Sequence, residues 1–135
     1  MQLTVLGAGT ALPVPGHSPA GYLLRVADES LLFDLGPGTL VRLAGAGVDY
    51  RNLERIFVSH LHSDHVLDLV TLLQASNATP GWTREQPLEL YGCHGLAAFV
   101  DRITELFDGT APEGFPVTVR ELGAERLAFD GWTLE

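Results

Sequence analysis

The chain has no lysine, and all eight of its basic side chains are arginine. We interpret the missing lysine as a coding bias rather than as a sign of function. The 17 acidic residues outnumber the arginines and give a formal net charge of −9 at pH 7. An acidic chain repels polyanions at long range, and nucleic-acid-binding proteins usually show a basic patch. The charge balance therefore argues against a large nucleic acid as a partner of these residues.

Cysteine and long apolar runs are also scarce. Cys93 is the one cysteine, which excludes an internal disulfide and is compatible with a reducing cytoplasm. No apolar run approaches the roughly 18 residues that a membrane helix requires, and the first residues lack the charged start of a signal peptide. These absences predict a cytoplasmic protein that has no membrane partner.

What remains has the composition of a globular domain. The 135 residues amount to one domain at most, and 46% of them are hydrophobic, which is enough to form a core. Strands followed by helices predict an α/β (α+β) fold in which one sheet is backed by helices on one face. The predicted strands are 2–6, 21–27, 30–35, 55–59, 88–91, 116–121, 125–129 and 132–135. The predicted helices are 38–47, 66–74 and 94–107, the last with Leu106 and Phe107 on its apolar face.

Three histidines and an aspartate follow the predicted strand 55–59 within six residues: His60, His62, Asp64 and His65. Alternate side chains of an extended segment point the same way, so the first three can face one pocket, with His65 at an adjacent position. Imidazole nitrogen and carboxylate oxygen are the usual mixed ligands of zinc, iron and manganese. The H-x-H-x-D-H spacing therefore predicts a site for two metal ions, against the alternative of a solvated polar turn.

This cluster resembles the signature of the metallo-β-lactamase-fold hydrolases, and other segments are similar to the ribonuclease Z-like branch. Residues 3–10 resemble its opening strand and Gly-Thr turn. Residues 31–39 resemble the strand and turn that carry the aspartate supporting the family's metal ligands, here Asp34. Residues 88–96 are similar to its L-Y-G-P-x-G-L segment, with Cys93 where proline is usual.

The resemblance implies a four-layer αββα sandwich made of two halves, each a mixed β-sheet with helices on one face. Family members look about twice as long as this chain, and their remaining metal ligands come later. We therefore expect residues 1–135 to be a single, incomplete metallo-β-lactamase-fold domain, the N-terminal half, from a truncated gene or from a shortened product. An apolar sheet face left uncovered in such a half predicts a homodimer that packs sheet to sheet.

The resemblance also implies the roles of the site residues. His60 and His62 would bind a first metal ion, and Asp64 and His65 a second, with zinc preferred and manganese or iron as alternatives. Asp64 would also help to take the proton of the nucleophile, and Asp34 would orient a ligand histidine from behind. Because only two protein ligands are present for each ion, the site is expected to be incomplete in this chain.

The implied function is metal-dependent hydrolysis of a phosphodiester, either in RNA or in a small cyclic or linear molecule. Two alternatives remain: hydrolysis of a lactone, carboxylic ester or thioester on the same fold, and an inactive truncated module that self-associates. Two further residues are left open. Asp68 either orients a ligand histidine or is a solvated helix residue, and His94 either contacts substrate or is a surface histidine.

Overall fold

The computed structural model describes residues 1–135, and its main sheet has six strands that lie side by side in chain order. A separate two-stranded hairpin follows near the C-terminal residue. The strands of the main sheet are β1 Gln2–Gly7, β2 Gly21–Val26, β3 Glu29–Leu35, β4 Arg55–Val58, β5 Leu88–Gly92 and β6 Val117–Glu121. The hairpin strands are β7 Leu127–Phe129 and β8 Trp132–Leu134. The helices are α1 Thr39–Gly45, α2 Ser63–Val66, α3 Asp68–Ala78 and α4 Leu96–Leu106, with a 3₁₀ turn at Tyr50–Asn52.

The sheet is mixed, as the sequence predicted. Strands β1, β2 and β3 pair antiparallel, with a tight turn between β2 and β3 and the longer loop 8–20 between β1 and β2, whereas β3, β4, β5 and β6 pair parallel. Parallel neighbours need a crossover, and right-handed crossovers that all advance in one direction lie on the same side of the sheet. The helices that make these crossovers, α1, α2 with α3, and α4, therefore cover one face.

The main hydrophobic core lies between the sheet and these helices. Leu32, Ile56 and Leu90 project from neighbouring strands into it, and Leu72 and Ile103 meet them from α3 and α4. Most of these side chains are wholly removed from solvent. At about 25 cal/mol for each square ångström of apolar surface buried, this layer is the main source of stability.

The opposite face of the sheet carries a row of aromatic rings. Phe33, Phe57 and Tyr91 lie on adjacent parallel strands, and their ring centroids are 4.7 and 4.9 Å apart. The hairpin β7–β8 covers part of this row, with Phe129 edge-on to Phe57 at 6.4 Å. The predicted uncovered apolar face is thus reduced, and its exposed part lies on β1.

Two details of the predicted helices are wrong. The chain turns at Leu67, so α2 and α3 replace the single helix expected over 66–74. Leu106 and Phe107 are 75% and 41% exposed rather than buried: Leu106 is the last residue of α4, and Phe107 lies beyond the helix with φ −108° and ψ 119°. The Thr110 hydroxyl donates to the Phe107 carbonyl at 2.6 Å and closes the end of α4.

Arg84 lies in the segment that the sequence assigned to a loop, yet it is 1% exposed. Its guanidinium donates to the carbonyls of Leu53 and Tyr50 at 2.9 and 3.1 Å, and packs against the rings of Trp82 and Phe115. Burial lowers the pKa of Arg84 from its ordinary value. These bonds fix the segment after α3 to the segment before β4. No helix of the fold combines the length and apolarity that a membrane crossing demands.

Candidate metal centre

The candidate site lies at the carboxyl ends of β3 and β4. These strands are parallel neighbours, so Asp34 near the end of one and His60 just after the other lie at the same edge of the sheet. Crevices at this edge are the usual place for ligand sites in α/β sheets. The structure brings together all five residues that the sequence singled out: Asp34, His60, His62, Asp64 and His65.

Asp34 is 6% exposed and has a backbone φ of +55°, a conformation that is uncommon for a residue other than glycine. The turn after Asp34 packs closely against the histidine cluster. A Cβ atom added to Gly36 would lie 2.0 Å from the carbonyl oxygen of Asp64, so the turn after β3 directly touches the segment that carries the cluster. Only glycine permits that approach.

The Asp34 carboxylate is the polar centre of this region. Its Oδ1 accepts from the backbone N–H of Ser59 at 2.8 Å, and its Oδ2 accepts from the Ser59 hydroxyl at 2.8 Å. His65 Nδ1 lies 2.7 Å from the same Oδ2 and donates to it. A histidine whose Nδ1 carries the proton has a bare Nε2, which is the nitrogen that can bind a metal ion.

Two pairs of donor atoms result. His60 Nε2 and His62 Nδ1 are 3.2 Å apart, and His65 Nε2 and Asp64 Oδ2 are 3.5 Å apart. Two ligands of one tetrahedral ion are about 3.3 Å apart when each bond to the ion is about 2.0 Å long. Both spacings therefore fit two ligands of a shared ion, and the donor chemistry fits zinc, manganese or iron.

Neither pair of ligand atoms has a third metal-binding side chain beside it. No group of three or more His, Cys, Asp or Glu side chains is arranged to hold a metal ion. A catalytic zinc usually has three protein ligands, so each pair is one ligand short of such a site. The two pairs fit the predicted division into a first site with His60 and His62 and a second with Asp64 and His65.

Asp68 takes a role that the sequence did not suggest. Its Oδ2 accepts from the backbone N–H of Leu40 at 2.9 Å, at the first turn of α1. No hydrogen bond joins Asp68 to a histidine; Asp68 is a partly exposed helix residue with one carboxylate oxygen bound to the backbone. The bond joins α3 to α1 and so supports the turn that carries Asp34.

His94 is exposed, and its Nδ1 lies 2.8 Å from Oε2 of Glu121. The other oxygen of Glu121 accepts from the backbone N–H groups of Gly95 and Ala97 at 3.0 and 3.1 Å. These bonds, that to Ala97 first, hold the pKa of the Glu121 carboxyl below its ordinary value. Sequence reasoning missed Glu121, because the strand that carries it precedes no recognisable motif.

A cavity of about 390 Å³ opens between the aromatic row and the hairpin. Asp34 and Ser59 line one end of it, Phe57 and Tyr91 one wall, and Leu127 the opposite wall. None of the histidines lines this cavity, so the donor pairs lie outside it, at the open edge of the sheet.

Residues 1–94 match the family described as "Anti-Pycsar protein Apyc1". The Ribonuclease Z of Pyrococcus furiosus is 34% identical over 139 residues, a match that covers 100% of this chain and 44% of that protein. The Ribonuclease Z of Thermococcus gammatolerans is 36% identical and covers 99% of this chain and 41% of that protein. The chain therefore spans less than half the length of these curated relatives.

Solved structures agree with the fold. The short form of human tRNase Z superposes with a TM-score of 0.74 at 36% identity, over 90% of this chain and 45% of that chain. The metallo-β-lactamase-fold protein YhfI from Bacillus subtilis superposes with a TM-score of 0.72 at 27% identity, over 97% of this chain and 50% of that chain. The predicted fold class, a mixed sheet with helices on one face as in metallo-β-lactamase-fold proteins, is confirmed.

Proposed function

Because the chain belongs to the Anti-Pycsar protein Apyc1 family and is a ribonuclease Z-like member of the metallo-β-lactamase fold, we propose that it contributes to a metal-dependent phosphodiester hydrolase. The observation that carries this proposal is the presence of two donor pairs at one edge of the sheet, at 3.2 and 3.5 Å. Residues 1–135 form one part of the domain in this proposal.

His60 and His62 would hold the first divalent ion, and Asp64 and His65 the second. Zinc is the first choice, with manganese and iron as alternatives, since all three accept mixed nitrogen and oxygen ligands. Such ions supply a coordinated water of lowered pKa and positive charge near the reacting phosphorus. Because each pair is one ligand short, the proposal requires further ligands from outside these residues.

The chain's own side chains would orient the donors and accept a proton. Asp34 holds the Nδ1 proton of His65 and so turns the bare Nε2 toward Asp64. Asp64 is 9% exposed, and its Oδ2 is the oxygen that lies 3.5 Å from His65 Nε2. Its remaining oxygen is therefore the candidate acceptor for the proton that the attacking nucleophile loses.

The proposed substrate is a phosphodiester, either in RNA or in a small cyclic or linear molecule. The name of the curated relatives, Ribonuclease Z, supports RNA. The net charge of −9 on this chain favours the smaller substrates, because a long polyanion is repelled. A lactone, carboxylic ester or thioester is the alternative substrate class on the same fold.

The test compares hydrolysis of a chromogenic phosphodiester with that of a panel of lactones and thioesters, using the whole protein that contains this chain. We expect turnover of the phosphodiester. We also expect His62→Ala to lower kcat/KM by at least about 100-fold, more than is usual when a residue that only hydrogen-bonds to a metal ligand is replaced. His17→Ala is the matched control, because His17 lies in an exposed loop and its ring bonds only the Pro15 carbonyl. Activity on the lactones alone would replace the proposed substrate class.

Self-association and a cytoplasmic location stay proposals. Leu3 and Val5 on β1 are 61% and 59% exposed, beside the part of the sheet that the hairpin leaves open. Apolar side chains in such a position support packing against a second copy of the chain. The support for the cytoplasm is the single thiol of Cys93, which is unpaired.

A further inference from the structure

The hydroxyl of Ser59 lies between the buried carboxylate and a histidine of the other donor pair. Its Oγ is 2.8 Å from Asp34 Oδ2 and 3.0 Å from His60 Nδ1. His65 Nδ1 is 3.4 Å from the same Oγ, but its closer partner is Asp34 at 2.7 Å. Ser59 is therefore the one link between Asp34 and His60.

The donors and acceptors of this link can be counted. An ionised carboxylate only accepts hydrogen bonds, so the single hydroxyl proton of Ser59 goes to Asp34. The Oγ then offers a lone pair to His60, which must carry a proton on Nδ1 in order to donate. The Nε2 of His60 is consequently bare, and this is the atom that lies 3.2 Å from His62 Nδ1.

We propose that Ser59 is a positioning residue that holds His60 in its Nδ1–H tautomer, so that one buried carboxylate orients a histidine in each of the two donor pairs. Asp34 acts directly on His65 and acts on His60 through the serine hydroxyl. The effect on metal binding rests on the proposed function, whereas the tautomer of His60 does not.

The backbone makes this arrangement rigid. The Ser59 N–H donates to Asp34 Oδ1 at 2.8 Å, which fixes the serine independently of its hydroxyl. Replacing Ser59 by alanine keeps that bond and the contact between Asp34 and His65. The substitution thus removes the two bonds of the hydroxyl, to Asp34 Oδ2 and to His60 Nδ1, and the overall fold should not change.

The first test measures the tautomer in the metal-free chain at pH 8, by long-range ¹H–¹⁵N correlation spectra of the histidine rings. We expect His60 to carry its proton on Nδ1 in the unmodified chain and in Ser59→Thr, which retains the hydroxyl. In Ser59→Ala we expect a shift to the Nε2–H form, which an unconstrained histidine prefers. Ser63→Ala is the matched control, because Ser63 is an exposed serine four residues later. An unchanged tautomer in Ser59→Ala would overturn the proposal.

The second test titrates the whole protein with Zn²⁺ and with Co²⁺, whose absorption reports its ligands. We expect Ser59→Ala to weaken one of two ions by roughly 10- to 100-fold, the usual loss when a partner behind a ligand is removed. The other ion should be weakened by less than about 3-fold, whereas Asp34→Asn should weaken both. Equal weakening of both ions by Ser59→Ala would contradict a link that acts on His60.

The two tests separate this inference from the proposed function. If the unmodified protein bound no metal ion but the tautomer of His60 depended on Ser59, the proposed function would fail and the positioning role would stand. If metal ions bound and phosphodiester was hydrolysed, but the His60 tautomer ignored Ser59, the positioning role would fail alone.

Discussion

The two faces of the main sheet are covered very differently. On the helix-backed face, Leu32 and Ile56 are fully buried under α3 and α4. On the other face, the ring row of Phe33, Phe57 and Tyr91 is covered only by the hairpin β7–β8. The first face belongs to a complete hydrophobic core, whereas only the hairpin β7–β8 packs on the second.

The difference shows which layer maintains the candidate site. The turn that joins Asp34 to α1 packs through Gly36 against the Asp64 backbone, and Asp68 of α3 holds the first turn of α1, so the helix layer supports the donor pairs from behind. The hairpin contacts the other face and the cavity beside the site. Loss of the hairpin should therefore leave the donor pairs in place, whereas loss of the helix layer should not.

The largest expected effect comes from the helix-backed face. Leu72→Ala removes a fully buried side chain of α3 and should lower the free energy of unfolding by about 2–5 kcal/mol, through lost burial and the cavity left behind. Urea denaturation measures it. Leu106→Ala makes the same chemical change at a side chain that is 75% exposed, and should cost less than about 0.5 kcal/mol. Equal losses in the two variants would refute the assignment of the core.

A smaller effect is expected on the opposite face. Phe129→Ala removes the ring that meets Phe57 and stacks on Trp132 at 4.2 Å. We expect a local loss of about 1–2 kcal/mol, seen as about 5- to 30-fold faster hydrogen exchange in β7–β8 with little change in β3 and β4. Arg126→Ala, which keeps the ring and removes only an exposed ion pair with Glu135, is the control and should change exchange less. Faster exchange throughout the sheet would show that both faces unfold as one unit.

Acid should destabilise the helix-backed side of the sheet by protonating Glu121. Its folded-state pKa lies below the ordinary 4.5, chiefly because of the Ala97 N–H. The stabilisation is therefore present above pH 4.5 and is lost as the pH falls through the lower folded-state value. Glu121→Gln keeps an acceptor for the α4 amides but removes the titration, so Tm should fall less below pH 4.5. Glu113→Gln, at an exposed position, should behave like the unmodified chain.

The smallest effect on folding is expected at the open edge of the second face. Leu3→Thr combined with Val5→Thr changes two exposed strand residues, so the free energy of unfolding should move by less than about 0.5 kcal/mol. Self-association should weaken, because the apolar contact surface is removed. Light scattering at several concentrations measures the mass. A monomer before and after the substitutions would end the dimer proposal.

Much of the fold could be predicted from local patterns. The hairpin of β2 and β3 follows from alternating apolar residues around Asp28 and Glu29, and β4 follows from the run Ile56 to Val58. These patterns are local, because the period of side chains along a strand is visible within a few residues. The histidine cluster was equally visible, since its members lie within six residues of one another.

Other features depend on contacts between distant residues, and local patterns do not contain them. Arg84 lies in a predicted loop, but it is buried, with its guanidinium bonded to the carbonyls of Leu53 and Tyr50. Asp68 bonds Leu40 from 28 residues away, and Glu121 bonds Gly95 from 26 residues away. The partners of Arg84, Asp68 and Glu121 depend on how distant segments pack against one another.

The amino-acid sequence by itself determined the strands, the helices and the H-x-H-x-D-H cluster, because the residues responsible are neighbours in the chain. Only the tertiary structure decided that Asp34 and Ser59, 25 residues apart, would share two hydrogen bonds behind that cluster. The physical reason is the parallel pairing of β3 with β4, which brings their carboxyl ends to one edge of the sheet.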